Sequence, residues 1–538
     1  MMADWLDVYL KDRGNGVFST FKWSDRSPNP HGNGQFDGNE TGFWQAAGAF
    51  ELLNDAYAFT GNPRYRAYLD GYRTRFLDGS FSWSNTWMRN DFVDDILWWS
   101  SAFLRTYTLT GDVSYLTLAQ EIFDVSYNHG WDTRATCSYT GVPGGLLWRR
   151  DLRNNNLTSN FIFNDNGNEK NIATNGNGAL IAARLAQAFA ARGDVAASAR
   201  YADIAEKIYE WMYTTLMIDN TTGRLSDNFM PNGTRRDWQF SYNYGLFAAA
   251  AYEMWINTGN VRYKEHTRLV LSYGWNSMTL ADGLTFRDEG GMDGGDGAGF
   301  RIVLMRNTGH IAQDSDFADF MVYLQANAYQ AWHNRRTDGL TGSNWAARPF
   351  DITRIPSTVA AAGVVAAWYS GFDPSVTYGF EGNLVRLPAW GEGGIYLAEQ
   401  ALRNGIYFGV RSEAPGSRGR TVSVWWDDEP RTPERAYNPD GVRRFIDFIE
   451  VAVPETGIYE LSFRWFTRGD NVRLVRVNDG TPQPVQFTRS EENVWEYATI
   501  EAELMAGQNN IRIWLHRYDG DSADNWMFID YLKVTPVR

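Results

Sequence analysis

The sequence predicts two domains: an all-α (α/α)6 toroid over residues 1–372 and, after a linker at 373–394, an all-β sandwich over residues 395–538. Three observations point there. Glycine-centred turns recur between amphipathic runs as far as about Ser370. Beyond Pro374 the apolar spacing changes from helical to alternating. The chain, 538 residues with 43% hydrophobic and 21% charged positions, holds enough apolar material for cores of that size.

The turns come first. Thr60-Gly61-Asn62, Thr110-Gly111-Asp112, Arg192-Gly193-Asp194 and Thr258-Gly259-Asn260 each separate two amphipathic runs. Glycine accepts the left-handed conformation that ends a helix, and the following Asp or Asn caps the next one. These are the connections of αα-hairpins. Their irregular intervals fit hairpins carrying long loops on one face better than a strict solenoid. About six such hairpins fill the first 370 residues, which is the count of a six-hairpin toroid. Polar loops such as Asp151–Lys170 and Asp288–Gly299 are then expected at one mouth of the ring.

After Pro374, Gly379, Gly382, Gly391, Gly393 and Gly394 mark a linker. Tyr459–Trp465 and Asn510–Leu515 then alternate apolar and polar residues, the period of half-buried strands, over a stretch long enough for a sandwich.

Composition removes several classes of function. The net charge of −14 repels phosphate backbones, so no nucleic-acid partner is expected. No apolar run approaches the roughly 18 residues that span a bilayer. Met1-Met2-Ala3-Asp4 lacks the basic and apolar regions of a signal peptide, which leaves a cytoplasmic protein or a mature portion. One cysteine, Cys137, excludes a disulfide framework, and six scattered histidines offer no paired metal ligands. What remains is acidic and rich in rings: 23 Trp, 28 Tyr and 31 Phe, 15% of the chain. Sugars offer apolar C–H faces for such rings and hydroxyls for carboxylates and amides, although most of these rings must be core.

The main chemical signal is Asp94-Asp95, at the head of the helical run Ile96–Thr108. Adjacent helical side chains diverge by about 100°, so two carboxylates converge only at a helix start. There the macrodipole favours a charged carboxylate, while like-charge repulsion raises one pKa of the pair. A nucleophile beside a protonated acid is what a retaining glycosidase needs. An ordinary capping acid with a first-turn neighbour is the competing explanation.

The run Asp94-Asp95-Ile96-Leu97-Trp98-Trp99 resembles the paired-aspartate signature of glycoside hydrolase family 76, the endo-α-1,6-mannanases. The resemblance extends, in order, through Phe43-Trp44-Gln45, Trp131-Asp132, Gly144-Gly145-Leu146-Leu147-Trp148, Lys170–Gly176, Ser241–Gly245 and Gln325–Ala328 with Asn334-Arg335. It implies a retaining endo-hydrolase of α-mannan, with Asp94 as nucleophile and Asp95 as acid/base. It also implies no cofactor for catalysis, a monomer, and an extracellular, cell-surface or periplasmic location. Asn175, Tyr242 and Asn243 stand next to helix starts, suited to sugar hydroxyls or to structural bonds. Asp227 precedes a loop that can reach the mouth. Trp44, Trp98 and Trp99 are stacking platforms or core. The acidic run Asp288–Asp296 lacks the spacing of a helix–loop–helix calcium site and reads as a substrate-edge loop. A transglycosylase or another toroid glycosidase, such as an unsaturated glucuronyl hydrolase, would share this pattern. A noncatalytic glycan-binding protein would not need both aspartates.

The second domain resembles carbohydrate-binding modules of families 6 and 35, which implies a jelly-roll sandwich. Ile395–Glu399 is similar to their opening strand, Leu504–Ile511 to a turn, and Phe528–Tyr531 to their closing strand. That likeness implies a structural calcium held by Glu399 and Asp530, with Trp425, Trp426 and Trp526 as candidate platforms.

Overall fold

The computed structural model describes residues 5–6, 21–22, 43–78, 90, 92–133, 142–149, 169–289, 297–336, 339–342, 344–348, 355–356, 361–387, 389–398, 401–404, 408–411, 421–424, 445–467, 470–488, 490, 494–514 and 527–537. Eleven helices of the first domain lie within them: α1 (Phe43–Thr60), α2 (Pro63–Asp78), α3 (Val93–Thr110), α4 (Val113–Gly130), α5 (Ile172–Ala191), α6 (Val195–Leu216), α7 (Ser241–Thr258), α8 (Val261–Ser277), α9 (Gly297–Ile311), α10 (Met321–His333) and α11 (Ala362–Ser370).

The capping turns form as the residues dictate. Gly61, Gly111, Gly193 and Gly259 all have φ between 62° and 77°, the left-handed region. The residue after each accepts a backbone N–H of the next helix: Asn62 from Arg64, Asp112 from Ser114, Asp194 from Ala197 and Asn260 from Arg262. Because every hairpin starts on the same layer, α1, α3, α5, α7, α9 and α11 run parallel. Each packs on the next, and α11 returns to α1, so the inner layer is a closed ring. The even-numbered helices form the outer layer. Where α11 needs an outer partner, Trp5 fills the place. Its ring meets Trp332 edge-on at 5.1 Å and lies over Gly363, and its Nε1–H donates to the carbonyl of Gly339 (3.0 Å).

Parallel inner helices give the ring two unlike ends. Their N-termini, and thus the positive ends of their dipoles, share one mouth. Toward their C-termini the axis is plugged by buried charges. Asp55 of α1 pairs with Arg105 of α3 (2.5 Å) and with Arg306 of α9 (2.6 Å), while Arg105 also holds Glu51 (2.8 Å). Asp55 is wholly buried, and two cations near helix C-termini complement the dipoles there.

The second domain is two antiparallel sheets sharing one apolar core. Its strands are β1 (Ile395–Leu397), β2 (Leu402–Asn404), β3 (Phe408–Arg411), β4 (Thr421–Val424), β5 (Phe445–Val453), β6 (Gly457–Thr467), β7 (Asn471–Val477), β8 (Gln483–Phe487), β9 (Glu496–Leu504), β10 (Gly507–Trp514) and β11 (Met527–Pro536). One sheet has the order β3-β4-β11-β6-β9, with β1 also on β11; the other is β8-β7-β10-β5-β2. Leu461 and Phe463 of one sheet share the core by alternation with Phe448 and Val451 of the other, where a bulge between Phe448 and Val451 turns both inward. The connecting segment is tied to the ring. Val385 N–H donates to Asp282 (2.8 Å) and Leu387 N–H to the carbonyl of Ala346 (2.7 Å).

Candidate active site

Asp94 and Asp95 occupy the first turn of α3, at the mouth and roughly 16 Å along the helix from Arg105 at 1.5 Å per residue. Asn90 fixes the approach. Its side-chain carbonyl accepts the N–H of Phe92 (2.9 Å), and its amide donates to Asp95 (3.3 Å). Asp94 accepts the N–H of Asp95 on one oxygen (3.0 Å) and the indole N–H of Trp148 on the other (3.1 Å). Burial, then the charge of Asp95, pushes the Asp94 carboxyl well above the usual range. The two N–H donors aimed at Asp94 oppose that rise, because they favour its charged form. Like charges so close ionise together only at a cost, which favours one charged and one protonated carboxyl.

Trp148 reaches Asp94 because a scaffold puts it there, and most of the short motifs turn out to build that scaffold. Gly144 and Gly145 have φ of 84° and 76°, and a Cβ on Gly145 would come within 2.5 Å of the Trp211 ring. The buried Lys170 pairs with Asp132 (2.9 Å) and donates to the carbonyls of Val142 (3.0 Å) and Gly144 (2.6 Å). Asn175 clamps Leu146 from both sides, accepting its N–H (2.7 Å) and donating to its carbonyl (3.0 Å). The carbonyl of Trp148 then takes the N–H of Val93 (2.8 Å), joining this segment to the head of α3.

Trp148→Phe keeps the ring against Phe92 (5.1 Å) and deletes the donor to Asp94. A charge-assisted hydrogen bond of this kind is worth about 1.5–3 kcal/mol. Its loss makes the carboxylate harder to form, so the acidic limb of kcat/KM should move up by about one to two pH units. An unmoved pH profile would show that the indole does not support the charge.

Across the mouth, Tyr242 of α7 donates its hydroxyl to Asp227 and lies close enough to Asp94 to feel its charge. Burial lifts Asp227 to about 7, against the opposing hydrogen bonds from Tyr242 and Asn243. Glu289 accepts the backbone N–H and the hydroxyl of Ser241 at the start of α7, and burial lifts it also to about 7. Phe300 meets Tyr242 edge-on at 4.7 Å and Trp44 at 6.4 Å, so rings from α1, α7 and α9 share the rim.

The expected site residues divide accordingly. Asp94, Asp95, Tyr242, Asp227 and Trp44 come together at the mouth, and Trp98, half-buried, lies one turn below the aspartates on their face of α3. Trp99 does not belong there. It is fully buried among Phe43, Phe50, Phe76 and Phe103, because 100° of rotation from Trp98 turns it into the core. Asn175 is likewise sealed off, with 0% exposure and its amide committed to Leu146 and to the carbonyl of Asn171. Asn243 is buried; it donates to the carbonyl of Trp238 (3.3 Å) and also hydrogen-bonds Asp227, so it supports a residue of the mouth from inside the fold. The sequence reading missed Trp148, Asn90 and Glu289 as contributors; the Gly-Gly bend before Trp148 was the available signal.

The acidic loop begins inside the fold, with Asp288 paired to Arg301 (3.3 Å), while residues 290–296 lie outside the described ones. In the second domain Asp530 is wholly buried and ion-paired with Arg464, whose guanidinium also lies over the Trp495 ring (4.7 Å). That cation already matches the carboxylate and would repel a divalent ion, so Asp530 does not fit a calcium ligand. Glu399, Trp425, Trp426 and Trp526 lie outside the described residues. Among the described residues no cluster of three His, Cys, Asp or Glu side chains is arranged for a metal.

Comparison with known proteins agrees with this geometry. The sequence profile of Glycosyl hydrolase family 76 matches residues 9–377. The mannan endo-1,6-alpha-mannosidase DCW1 of Candida glabrata is 28% identical over 253 residues, 43% of this chain and 49% of its own length. Its Saccharomyces cerevisiae counterpart is 26% identical over 264 residues, 45% of this chain and 51% of its own. The chain thus spans about half the length of the curated relatives it matches. Among solved structures, the GH76A alpha-1,6-mannanase from Salegentibacter sp. HEL1_6 superposes with a TM-score of 0.53 at 24% identity, over 69% of this chain and 98% of that one. An inactive variant of that enzyme, with two consecutive aspartates changed to asparagine and α-1,6-mannotriose bound, superposes equally well.

Proposed function

Because the chain belongs to glycosyl hydrolase family 76, we propose that it hydrolyses α-1,6-mannosidic linkages within mannan backbones, retaining anomeric configuration through Asp94 and Asp95. The observation that carries this reading is the carboxyl pair in the first turn of α3, beneath a ring-lined mouth, with the Asp94 carboxyl pushed up by desolvation and by its neighbour. The α-1,6-mannosidase names of the fungal relatives and of the Salegentibacter structure support the choice of glycan.

In the first half-reaction an oxygen of Asp94 attacks the anomeric carbon while Asp95 gives its proton to the departing glycosidic oxygen. The bond to the leaving chain breaks and a glycosyl-aspartate forms. In the second half Asp95, now a carboxylate, takes a proton from water, whose oxygen attacks the same carbon and frees Asp94. Consecutive residues on one turn suit the roughly 5–5.5 Å between carboxyls used for retention better than the 6.5–9.5 Å of inverting enzymes. Tyr242 and Asp227 stand where they can bind hydroxyls of a neighbouring sugar. Since mannan is an extracellular polymer, the reading places the enzyme outside the cytoplasm; among the described residues no helix is long and apolar enough to cross a membrane.

Proton NMR of fresh digests of debranched yeast mannan tests the scheme. The first reducing ends should be α-anomers, with β appearing later by mutarotation. A β-anomer first would mean inversion and would move the second carboxylate elsewhere, with Asp227 the nearest alternative. No release of reducing ends would refute the mannanase reading altogether.

A further inference from the structure

Trp238 is the one exposed tryptophan among the described residues, with 52% of its surface open to solvent. It sits just before α7 in the segment that carries Asp227. One side is braced: the Arg236 guanidinium stands 5.0 Å from the ring centroid, and Phe240 meets it edge-on at 6.1 Å. Arg236 is itself tied down, its carbonyl accepting the N–H of Asp227 (3.0 Å) and its guanidinium facing Glu169 (3.6 Å). From Phe240 the rings lead inward. Phe240 stacks on Tyr242 at 5.6 Å and meets Phe300 at 5.1 Å, and Tyr242 lies within range of the Asp94 charge. An exposed indole held in one orientation offers a flat apolar face on which the C–H face of a sugar ring can stack.

We propose that Trp238 is a distal sugar-stacking subsite, which takes the C–H face of a pyranose removed from the scissile bond and so gives the enzyme its preference for longer chains. The proposal rests on the mannanase reading above. Two ring contacts separate Trp238 from Tyr242, so the sugar undergoing cleavage cannot lie on both. Arg236 fixes the ring plane before substrate arrives, which lowers the ordering cost of binding. The carboxylate pair is untouched by this contact, so its loss acts on KM for long substrates and leaves kcat alone.

The experiment compares α-1,6-mannotriose, -tetraose and -hexaose as substrates for the full-length protein and for its Trp238→Ala and Trp238→Phe variants. Uncovering one indole face should lower kcat/KM for the hexaose by about tenfold. The loss should fall on KM, shrink as the substrate is shortened, and be largely restored by phenylalanine. Equal loss at all three lengths would make Trp238 a structural residue, and no loss at any length would remove the subsite; either overturns the proposal while the mannanase reading stands. A wild-type protein inert on all three would overturn both.

Discussion

Asp94→Asn and Asp95→Asn are each expected to lower kcat/KM by at least about 10²–10⁴-fold, the worth of acid–base assistance, with the helical domain still folded. Stability should hold or rise, because each change replaces a carboxyl that is costly to ionise beside its neighbour with a neutral amide of the same shape. The alanine variants separate the roles. With azide as the external nucleophile, Asp95→Ala still forms the glycosyl-aspartate, and azide then replaces Asp94 to give the α-mannosyl azide. In Asp94→Ala, azide enters from the vacated side and gives the β-mannosyl azide. Exchange of those two products would reverse the assignment. Near-normal turnover in either asparagine variant would remove the pair from catalysis.

The second large effect is on stability and lies at the other end of the ring. Asp55→Ala leaves Arg105 and Arg306 buried with one remaining acid, Glu51, between them. Breaking a buried pair by deleting one partner costs about 3–5 kcal/mol, because the other charge stays desolvated. Denaturant unfolding followed by circular dichroism at 222 nm should show the helical transition weakened by that amount. The double change Asp55→Ala with Arg306→Met should recover part of it, since less unpaired charge then remains inside. A loss below about 1 kcal/mol would mean that water reaches the cluster and screens it.

What the sequence revealed follows the range of the forces involved. Each hairpin turn depends on a glycine and the capping residue beside it, so four of them could be read directly from adjacent letters. The carboxyl pair was legible for the same reason, since both groups lie within one turn. The parallel inner layer also followed, because residues at the heads of alternate helices must share a mouth. Errors arose where a side chain's fate is set by distant segments. Trp98 and Trp99 are neighbours in the chain, and only the packing of α1 and α2 decides which one is core. Asn175 offered the right chemistry for a sugar, but a Leu146 backbone 29 residues away and the carbonyl of Asn171 use it. Trp148 lies 54 residues from Asp94, and nothing local to either announces their bond. In the second domain, Arg464 meets Asp530 across 66 residues and takes the place that a resemblance had given to a metal ion.

Closure of the ring by Trp5 has a consequence for biosynthesis. Its indole bonds to Gly339, 334 residues later, and its ring packs on Trp332 and Gly363 beyond any contact it can make locally. At a translation rate of roughly 5–20 residues per second, Trp5 waits between about a quarter of a minute and a full minute for these partners to emerge. Meanwhile the growing arc of hairpins exposes the apolar flank that α11 will cover, a surface for chaperones or for another nascent chain. A circular permutant that moves the first segment to follow α11 would let Trp5 meet Trp332, Gly339 and Gly363 as soon as it is made.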